Sequence, residues 1–512
     1  MITRWLVHRF DDRFGQAGPT RSKFLNRVLP DHWSFMLGEI TLYSFFYLVV
    51  SGIFLTLFFE NSHADTIYGG SYGAFHGDKV STSYNSVLSL SWDVRFGLVV
   101  RQSHHWAALI FAGSMIVHLL RVYFTGGFRK PRELNWMIGV LLTGVMIANG
   151  VTGYDLPDDL LSGMGLNIVN STLLAIPVIG TWLSFMLFGG PFPGDDIYRR
   201  LYAIHAIILP GILVALIGLH LLLVIRQRHT QFPGPGRTET NVVGVRLWPA
   251  RVVRSAGLLF AVFAVCVFLG GLVQIDPIWM WGDFVPGATM GPAQPDWYDG
   301  WIDGALRLMP GWEPAIFGWR MPNLFIPAII MPLLTYALVG FWPFIERRFT
   351  KDRRAHQVLE RPRERPVRVG IGVMALTFYG FLLSAWGLDV ISRYSSVSQF
   401  ALVDAWRYST LTVPLGTGLI AFLLAKALRD SSGESLRELT WQQLKQGLSR
   451  RKAPPPRRKV VPPRKEDLII GHTPVEAGPV PIEEDVGSDD IGPESTEPIA
   501  VHSEPPAGSH GP

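Results

Sequence analysis

Histidines stand at both ends of two long apolar runs of this sequence. The runs read "HHWAALIFAGSMIVH" (104–118) and "HAIILPGILVALIGLH" (205–220). Ionisable side chains are rare in apolar segments long enough to cross a membrane, and there they usually serve a function. Imidazole nitrogen is also a common ligand of metal ions and of haem iron. The spacing of these histidines therefore indicates which ligand they can share.

The spacing within each run places two histidines on one face of a helix. His104 and His118 are 14 residues apart, and His205 and His220 are 15 apart. Fourteen residues of α-helix advance by about 21 Å and return to within about 40° of the starting face; fifteen return to within about 60°. His105 is 13 residues from His118, which turns it away by about 140°. We therefore expect His104, and not His105, to be a ligand.

The two runs are separated by one returning apolar segment, so both helices cross in the same direction. His104 then pairs with His205 near the outer side, and His118 pairs with His220 near the inner side. Two bis-imidazole sites about 21 Å apart suit two b-type haems, which carry electrons because both axial positions of each iron are taken. A divalent ion held by two histidines alone would lack half of its ligands. The other alternative is that these histidines are hydrogen-bonded core residues. That alternative does not explain why they lie at matched depths on the two helices.

Glycines and arginines near these segments fit the same interpretation. Gly38 and Gly52 are 14 residues apart, as are Gly139 and Gly153, and glycine leaves room for a porphyrin against the backbone. Packing of helices through small residues is the alternative. An excess of basic residues on inner loops also explains Arg121. Three arginines lie within five residues of one of the four proposed ligand histidines and are candidates for binding haem propionates: Arg101, Arg121 and Arg200.

The composition predicts an all-α integral membrane protein. Hydrophobic residues make up 48% of the 512 residues and charged residues only 17%, against about 25% charged in soluble domains. The lone Cys266 excludes internal disulfides and cysteine-rich metal sites, and we interpret it as a packing residue. The net charge of +5 lies in loops and tail and does not indicate nucleic-acid binding. Eight segments can span a bilayer, approximately 35–59, 97–120, 136–154, 201–225, 255–275, 324–345, 369–387 and 409–428.

The basic residues in the loops predict the orientation. Three loops (121–134, 226–254 and 346–368) carry 19 Lys and Arg in total, whereas the four alternate loops carry 6. Both termini are therefore expected on the inner side. We divide the chain into an amphipathic N-terminal segment (1–34), a four-helix dihaem domain (35–230), a second four-helix domain (231–429) and a disordered inner tail (430–512).

Taken together, these residues resemble cytochrome b of the quinol–cytochrome c oxidoreductase (bc1) complex over about residues 30–430. Besides the histidine and glycine pairs, the resemblance rests on "RVYFTGGFRKPREL" (121–134), "IPVIGTWL" (176–183), "RRLYAIH" (199–205) and "PDWY" (295–298). It is greatest to the actinobacterial branch, through "DHWSFMLGEITLYSF" (31–45), "DLPDDLLSGMGL" (155–166) and "QFPGPGRTETNVVGVR" (231–246). The extra haem that b6f-type proteins attach to a cysteine near the first span is not expected, because that region reads "WSFMLGE".

The resemblance implies a respiratory mechanism. Quinol is oxidised at an outer site between cytochrome b and a Rieske iron–sulfur protein, which passes one electron to a c-type cytochrome. The other electron crosses through the outer, low-potential haem and the inner, high-potential haem to an inner quinone site, so that a proton-motive force builds up. The resemblance further implies menaquinone as the quinone, a homodimer, association with a terminal oxidase, and a bacterial plasma membrane.

The same resemblance assigns the outer quinol site to Asp296 and Tyr298 of "PDWY" and to Tyr154 at the end of the third span. The usual motif is PEWY, whose glutamate is proposed to accept a quinol proton. Aspartate is shorter by one methylene, a difference that a bridging water can make up. The alternative is that "PDWY" only shapes a proline-bounded surface loop.

The inner quinone site is less readable. Mitochondrial relatives place a histidine where this sequence has Ile225, and His229 is a candidate substitute. A solvated inner loop explains His229 equally well, and Asp31 and His32 are equally open candidates. The alternative functions are a haem-anchor subunit of another membrane oxidoreductase, a ferric reductase, whose usual flavin or nicotinamide domain is missing, and a transporter without redox chemistry.

Overall fold

The computed structural model describes residues 25–449 apart from 195 and 290–293, and it describes no side chains beyond residue 431. In chain order the principal helices are α1 (Leu37–Thr56), α2 (Thr82–Trp92), α3 (Gly97–Phe124), α4 (Glu133–Tyr154), α5 (Leu160–Leu174), α6 (Gly180–Phe188), α7 (Ile197–Gln227), α8 (Val252–Leu272), α9 (Gly300–Leu308), α10 (Ile326–Thr350), α11 (Pro366–Ala385), α12 (Leu388–Tyr394) and α13 (Gln399–Ser449).

Eight of these helices are long and apolar enough to cross a membrane, within the part of the chain that the structure describes: α1, α3, α4, α7, α8, α10, α11 and α13. Each overlaps one predicted span, so the prediction of an all-α membrane protein is confirmed. The five shorter helices lie in the connections that the sequence assigned to the outer side. The sequence did not predict these helices, because each is too short to span a membrane and lies in a segment that was assigned to a loop.

Three short antiparallel strand pairs lie within the described part of the chain. They are β1 (Val28–Leu29) with β4 (Val245–Arg246), β2 (Asp65–Ile67) with β3 (Lys79–Ser81), and β5 (Ala315–Ile316) with β6 (Trp319–Arg320). Of the first pair, β1 lies in the expected N-terminal amphipathic segment, of which residues 1–24 fall outside the described residues, and β4 lies in the second predicted domain. At the other end α13 extends to Ser449 and so into the predicted tail, whose remainder (450–512) also falls outside the described residues.

Helices α3 and α4 occupy the centre of the arrangement. α3 contacts α1, α8 and α4, while α4 also contacts α7 and α10. We call the end of the bundle at which His104 lies the outer end, and the end at which His118 lies the inner end. An apolar cluster fills the space between these levels, with its buried members on α1, α3, α4 and α7 together with one loop residue: Phe45, Phe111, Ala112, Met115, Ile138, Leu142, Met146, Leu213 and Tyr298.

One turn of α7 is wider than an α-helical turn. Residues Ile204–Ile208 form a π-helical segment, in which the Leu209 amide donates to the carbonyl of Ile204. Pro210 has no amide hydrogen for the regular bond to the previous turn, which favours such a rearrangement. The wide turn takes up one extra residue. The 15-residue interval from His205 to His220 therefore acts geometrically like the 14-residue interval on α3.

Candidate haem and quinol site

The outer histidines face each other across the bundle. The ring centroids of His104 and His205 are 6.4 Å apart. His205 Nδ1 lies 2.9 Å from the carbonyl oxygen of Asn149, and His104 Nδ1 lies 2.9 Å from Ser51 Oγ. A carbonyl only accepts, so Nδ1 of His205 carries the hydrogen and its Nε2 keeps a free lone pair. Histidines that bind metal usually donate their other nitrogen to such a partner, and the outer pair therefore fits two axial ligands of a haem.

A single cavity joins this pair to the predicted quinol residues. It has a volume of about 280 Å³, near the lower end of the range for small-molecule sites. The lining includes both outer histidines and four of the six side chains that the sequence assigned to haem propionates or quinol: Arg101, Tyr154, Asp296 and Tyr298. The structure thus brings together residues from α3, α4, α7 and the loop before α9.

Three of the four spaced glycines lie against the histidine rings. A Cβ on Gly52 would lie 3.4 Å from His104 Cε1, and one on Gly38 would lie 3.2 Å from His118 Cε1. At Gly153 a Cβ would overlap the ring of His205, whereas at Gly139 it would meet no atom within 4 Å. The first three glycines let an imidazole ring approach the helix backbone. This role is additional to the predicted one of leaving space for a porphyrin.

The inner histidines have different surroundings. His118 Nδ1 and His220 Nδ1 are buried, and neither has a hydrogen-bond partner among the described residues. His220 lies close to the backbone of Asn135, without a hydrogen bond of good geometry. The side chain of Arg121 packs over the ring of Phe35, 4.7 Å from its centroid. Its Nε is also without a partner among the described residues.

The carboxylate of Asp296 is held by two side chains. His105 Nε2 lies 2.8 Å from its Oδ1 and 2.9 Å from its Oδ2, and the Tyr298 hydroxyl donates to Oδ2 at 2.9 Å. Burial raises the pKa of Asp296, but the positive charge and hydrogen bond of His105, with the bond from Tyr298, outweigh it and hold the pKa below its usual value. Burial and the neighbouring Asp296 raise the pKa of Tyr298 well above its usual range.

Residues around the cavity also fix its loops. Gln102 donates to the carbonyl of Ile275 and accepts from its amide, at 2.9 and 2.6 Å. Arg101 donates to the carbonyl of Asp276 at 3.2 and 3.3 Å. Burial raises the pKa of the Asp276 carboxyl, although Arg101 opposes this. Helix α3 therefore carries an outer histidine and also anchors the loop that follows α8.

Comparison with known proteins identifies the family. A family model described as "Cytochrome b(N-terminal)/b6/petB" matches residues 109–283. The cytochrome bc1 complex cytochrome b subunit of Corynebacterium diphtheriae is 45% identical over 429 residues, covering 84% of this chain and 79% of the relative. That of Mycobacterium tuberculosis is 48% identical over 405 residues, covering 79% and 73%. The chain belongs to the cytochrome b family.

A solved structure shares the fold of this cytochrome b. A chain described as "Hyperthermophilic respiratory Complex III" superposes with a TM-score of 0.59 at 20% identity, covering 81% of this chain and 99% of its own. Membership of the family implies that the chain binds haem and functions within a bc1-type complex with partner subunits. It also agrees with a multi-pass membrane protein.

The structure places the remaining predicted residues of this cytochrome b away from the outer cavity. Arg200 donates to the carbonyl of Leu187 at 3.2 Å and contacts Asp196 at 3.4 Å. It therefore closes the end of α6, and it is not among the residues that line the cavity. Cys266 is buried against Tyr47, Ala107 and neighbouring apolar side chains, as a packing residue would be.

The inner-end candidates lie among basic and aromatic groups. Burial, with several nearby arginines of which Arg27 is foremost, lowers the pKa of His229 to about 4, and its Nδ1 has no partner among the described residues. The ring of His32 lies 4.4 Å from that of Phe232, while Asp31 pairs with Arg254. The Ile225 carbonyl accepts a hydrogen bond from Arg27 at 2.6 Å.

Sequence reasoning missed two groups of this cytochrome b. It did not find the contact of His105 with Asp296. The helical spacing that excluded His105 as a ligand was a signal for this contact, because it turned the side chain towards another part of the molecule. It also missed Glu39 on α1, which contacts Arg251 and accepts from Ser255 at 2.9 Å. A carboxylate within an apolar segment is a signal that could have found Glu39.

Proposed function

We propose that this cytochrome b oxidises quinol in the outer cavity and supports transfer of electrons towards a second quinone site at the inner end. The observation that carries the proposal is the shared cavity. A pair of histidines suited to haem and a hydrogen-bonded carboxylate line the same space, which an electron and a proton leaving one substrate would require.

In the outer cavity we assign Asp296 as the acceptor of a quinol proton. Its lowered pKa keeps it ionised and ready to accept a hydrogen bond from a quinol hydroxyl. Tyr298 orients the carboxylate through its hydroxyl, and Tyr154 lines the wall. Much of the lining is apolar and includes Phe45, as is usual for small-molecule sites.

We assign His104 and His205 as the ligands of an outer haem and His118 and His220 as those of an inner one. When bound, these b-type haems supply one-electron carriers between the two ends. Arg101 and Arg121 are the candidates for their propionates. At the inner end, His229 and the arginines around it form the basic surroundings in which we place reduction of a quinone.

For the wider setting we propose what the sequence resemblance implies. The complex would include a Rieske protein and a c-type cytochrome as electron acceptors, form a homodimer and associate with a terminal oxidase. Menaquinol would be the substrate, and the chain would lie in a bacterial plasma membrane with both termini inside. The result is a proton-motive force, because protons leave at the outer end and are taken up at the inner end.

The test is to count haem and measure quinol oxidation in the purified complex. A redox difference spectrum should show two b haems per chain. Asp296→Ala should keep both and slow turnover about 10²-fold, as expected when a group that accepts a proton is removed. Fewer than two haems would favour a haem-anchor subunit, and undiminished turnover would remove Asp296 from the proton path.

A further inference from the structure

The side chain of His105 points into the cavity that holds the proposed proton acceptor. It lies next to His104 in the sequence but on another face of α3, and its Nε2 reaches both carboxylate oxygens of Asp296 at 2.8 and 2.9 Å. The two side chains are only 16% and 11% exposed. An ionised carboxylate only accepts hydrogen bonds, so Nε2 is the donor.

Asp296 is fixed through its carboxylate, by His105 and Tyr298, and through its backbone. The Tyr298 hydroxyl holds Oδ2, and that ring is itself fixed in the apolar cluster against Gly150, where a Cβ would overlap it. The backbone of Asp296 accepts hydrogen bonds from the amides of Asp299 and Gly300 at the start of α9. The loop's own residues thus fix the backbone and Oδ2 of Asp296. Among the described residues, the donor that reaches Oδ1 is His105 on α3.

We infer that His105 is a positioning residue: it holds the short aspartate of the "PDWY" loop in one orientation within the quinol cavity. This inference rests on the proposed function, since it concerns the proposed proton acceptor. Aspartate reaches less far than the glutamate of PEWY by one methylene. The donor His105 on α3 compensates for the shorter reach of Asp296, because it fixes the position of the carboxylate. Precise placement of a reacting group contributes strongly to rate.

The experiment compares two substitutions of His105 in the purified complex. His105→Phe keeps a ring of similar size and removes the donor, whereas His105→Gln keeps an N–H near the position of Nε2. We expect His105→Phe to lower kcat about tenfold or more with little change in KM, as for loss of a hydrogen bond to a charged group. His105→Gln should recover most of the loss, and both variants should keep two b haems.

A double-substitution cycle tests whether His105 acts through Asp296. If it does, His105→Phe should add less than about twofold to the effect of Asp296→Asn, because residues that act as a unit are not additive. Effects that multiply would overturn the inference. So would a His105→Phe variant with unchanged kcat, or a His105→Gln variant no better than His105→Phe.

The controls separate this inference from the proposed function. His63 forms another histidine–aspartate pair at the outer end, with Nδ1 2.6 Å from Asp158 Oδ2, and neither residue lines the cavity. His63→Phe should leave kcat and KM unchanged. If Asp296→Asn does not slow turnover, the proposed function fails at this site. If it does and His105→Phe does not, only the role of His105 fails.

Discussion

The two histidine pairs follow nearly the same sequence interval, yet their surroundings differ. At the outer end both Nδ1 atoms contact a polar group, which fixes the ring orientation from outside the pair. At the inner end neither Nδ1 has a hydrogen-bond partner among the described residues. A repeated histidine spacing thus predicts equal depth and facing, but it does not predict how firmly each ring is held.

The charge around the two ends also differs. Carboxylates are buried beside the outer cavity: Asp155, Asp159, Asp276, Asp296 and Asp299. Arginines surround the buried His229 at the inner end: Arg27, Arg121, Arg132 and Arg251. Acidic groups suit acceptance and release of protons, whereas arginines attract anionic groups. The same pair of histidine ligands therefore lies in acidic surroundings at the outer end and in basic surroundings at the inner end.

The most drastic way to probe this comparison is to remove one ligand at a time. We expect His104→Ala to lose the outer haem alone and His118→Ala to lose the inner haem alone, because an apolar cluster lies between the levels. Quinol oxidation should fall to background in both. Redox difference spectra with haem counted per chain make the measurement. Loss of both haems from either single variant would contradict the independence of the two ends.

A smaller effect is expected from the glycines. In Gly153→Ala the new methyl group would overlap the ring of His205, while in Gly257→Ala, on α8 and outside the four spaced glycines, it would meet no atom within 4 Å. We expect the first to lower the content of the outer haem at least severalfold, and the second to bind both haems normally. Haem spectra of the two purified variants decide this. Equal haem contents would show that ring contact does not explain the glycine.

The sequence carried much of the fold and part of the site, for separate physical reasons. Helical periodicity and hydropathy are local, so the spans and the shared face of His104 and His118 were predictable. The π-helical segment around His205 was not, because it depends on how one turn adjusts to Pro210. The contact between His105 and Asp296 joins positions 191 apart. It could not be predicted from the sequence. Helical spacing shows which side of α3 His105 faces, but it does not show which distant loop packs against that side.

The smallest effect concerns the acidic surroundings of the outer end and appears as pH-dependent stability. Burial, with repulsion from Asp303 and Asp296, raises the pKa of Asp299 to about 7. The unfolded chain ionises at a lower pH, so the stability of the fold declines as the pH rises from about 4 to about 7. Asp299→Asn carries no charge and escapes this cost. We expect it to raise the melting temperature more at pH 8 than at pH 5.5. Asp65→Asn, which removes an exposed partner of Lys79, should change little at either pH, and an equal shift for Asp299→Asn at both would contradict the electrostatic origin.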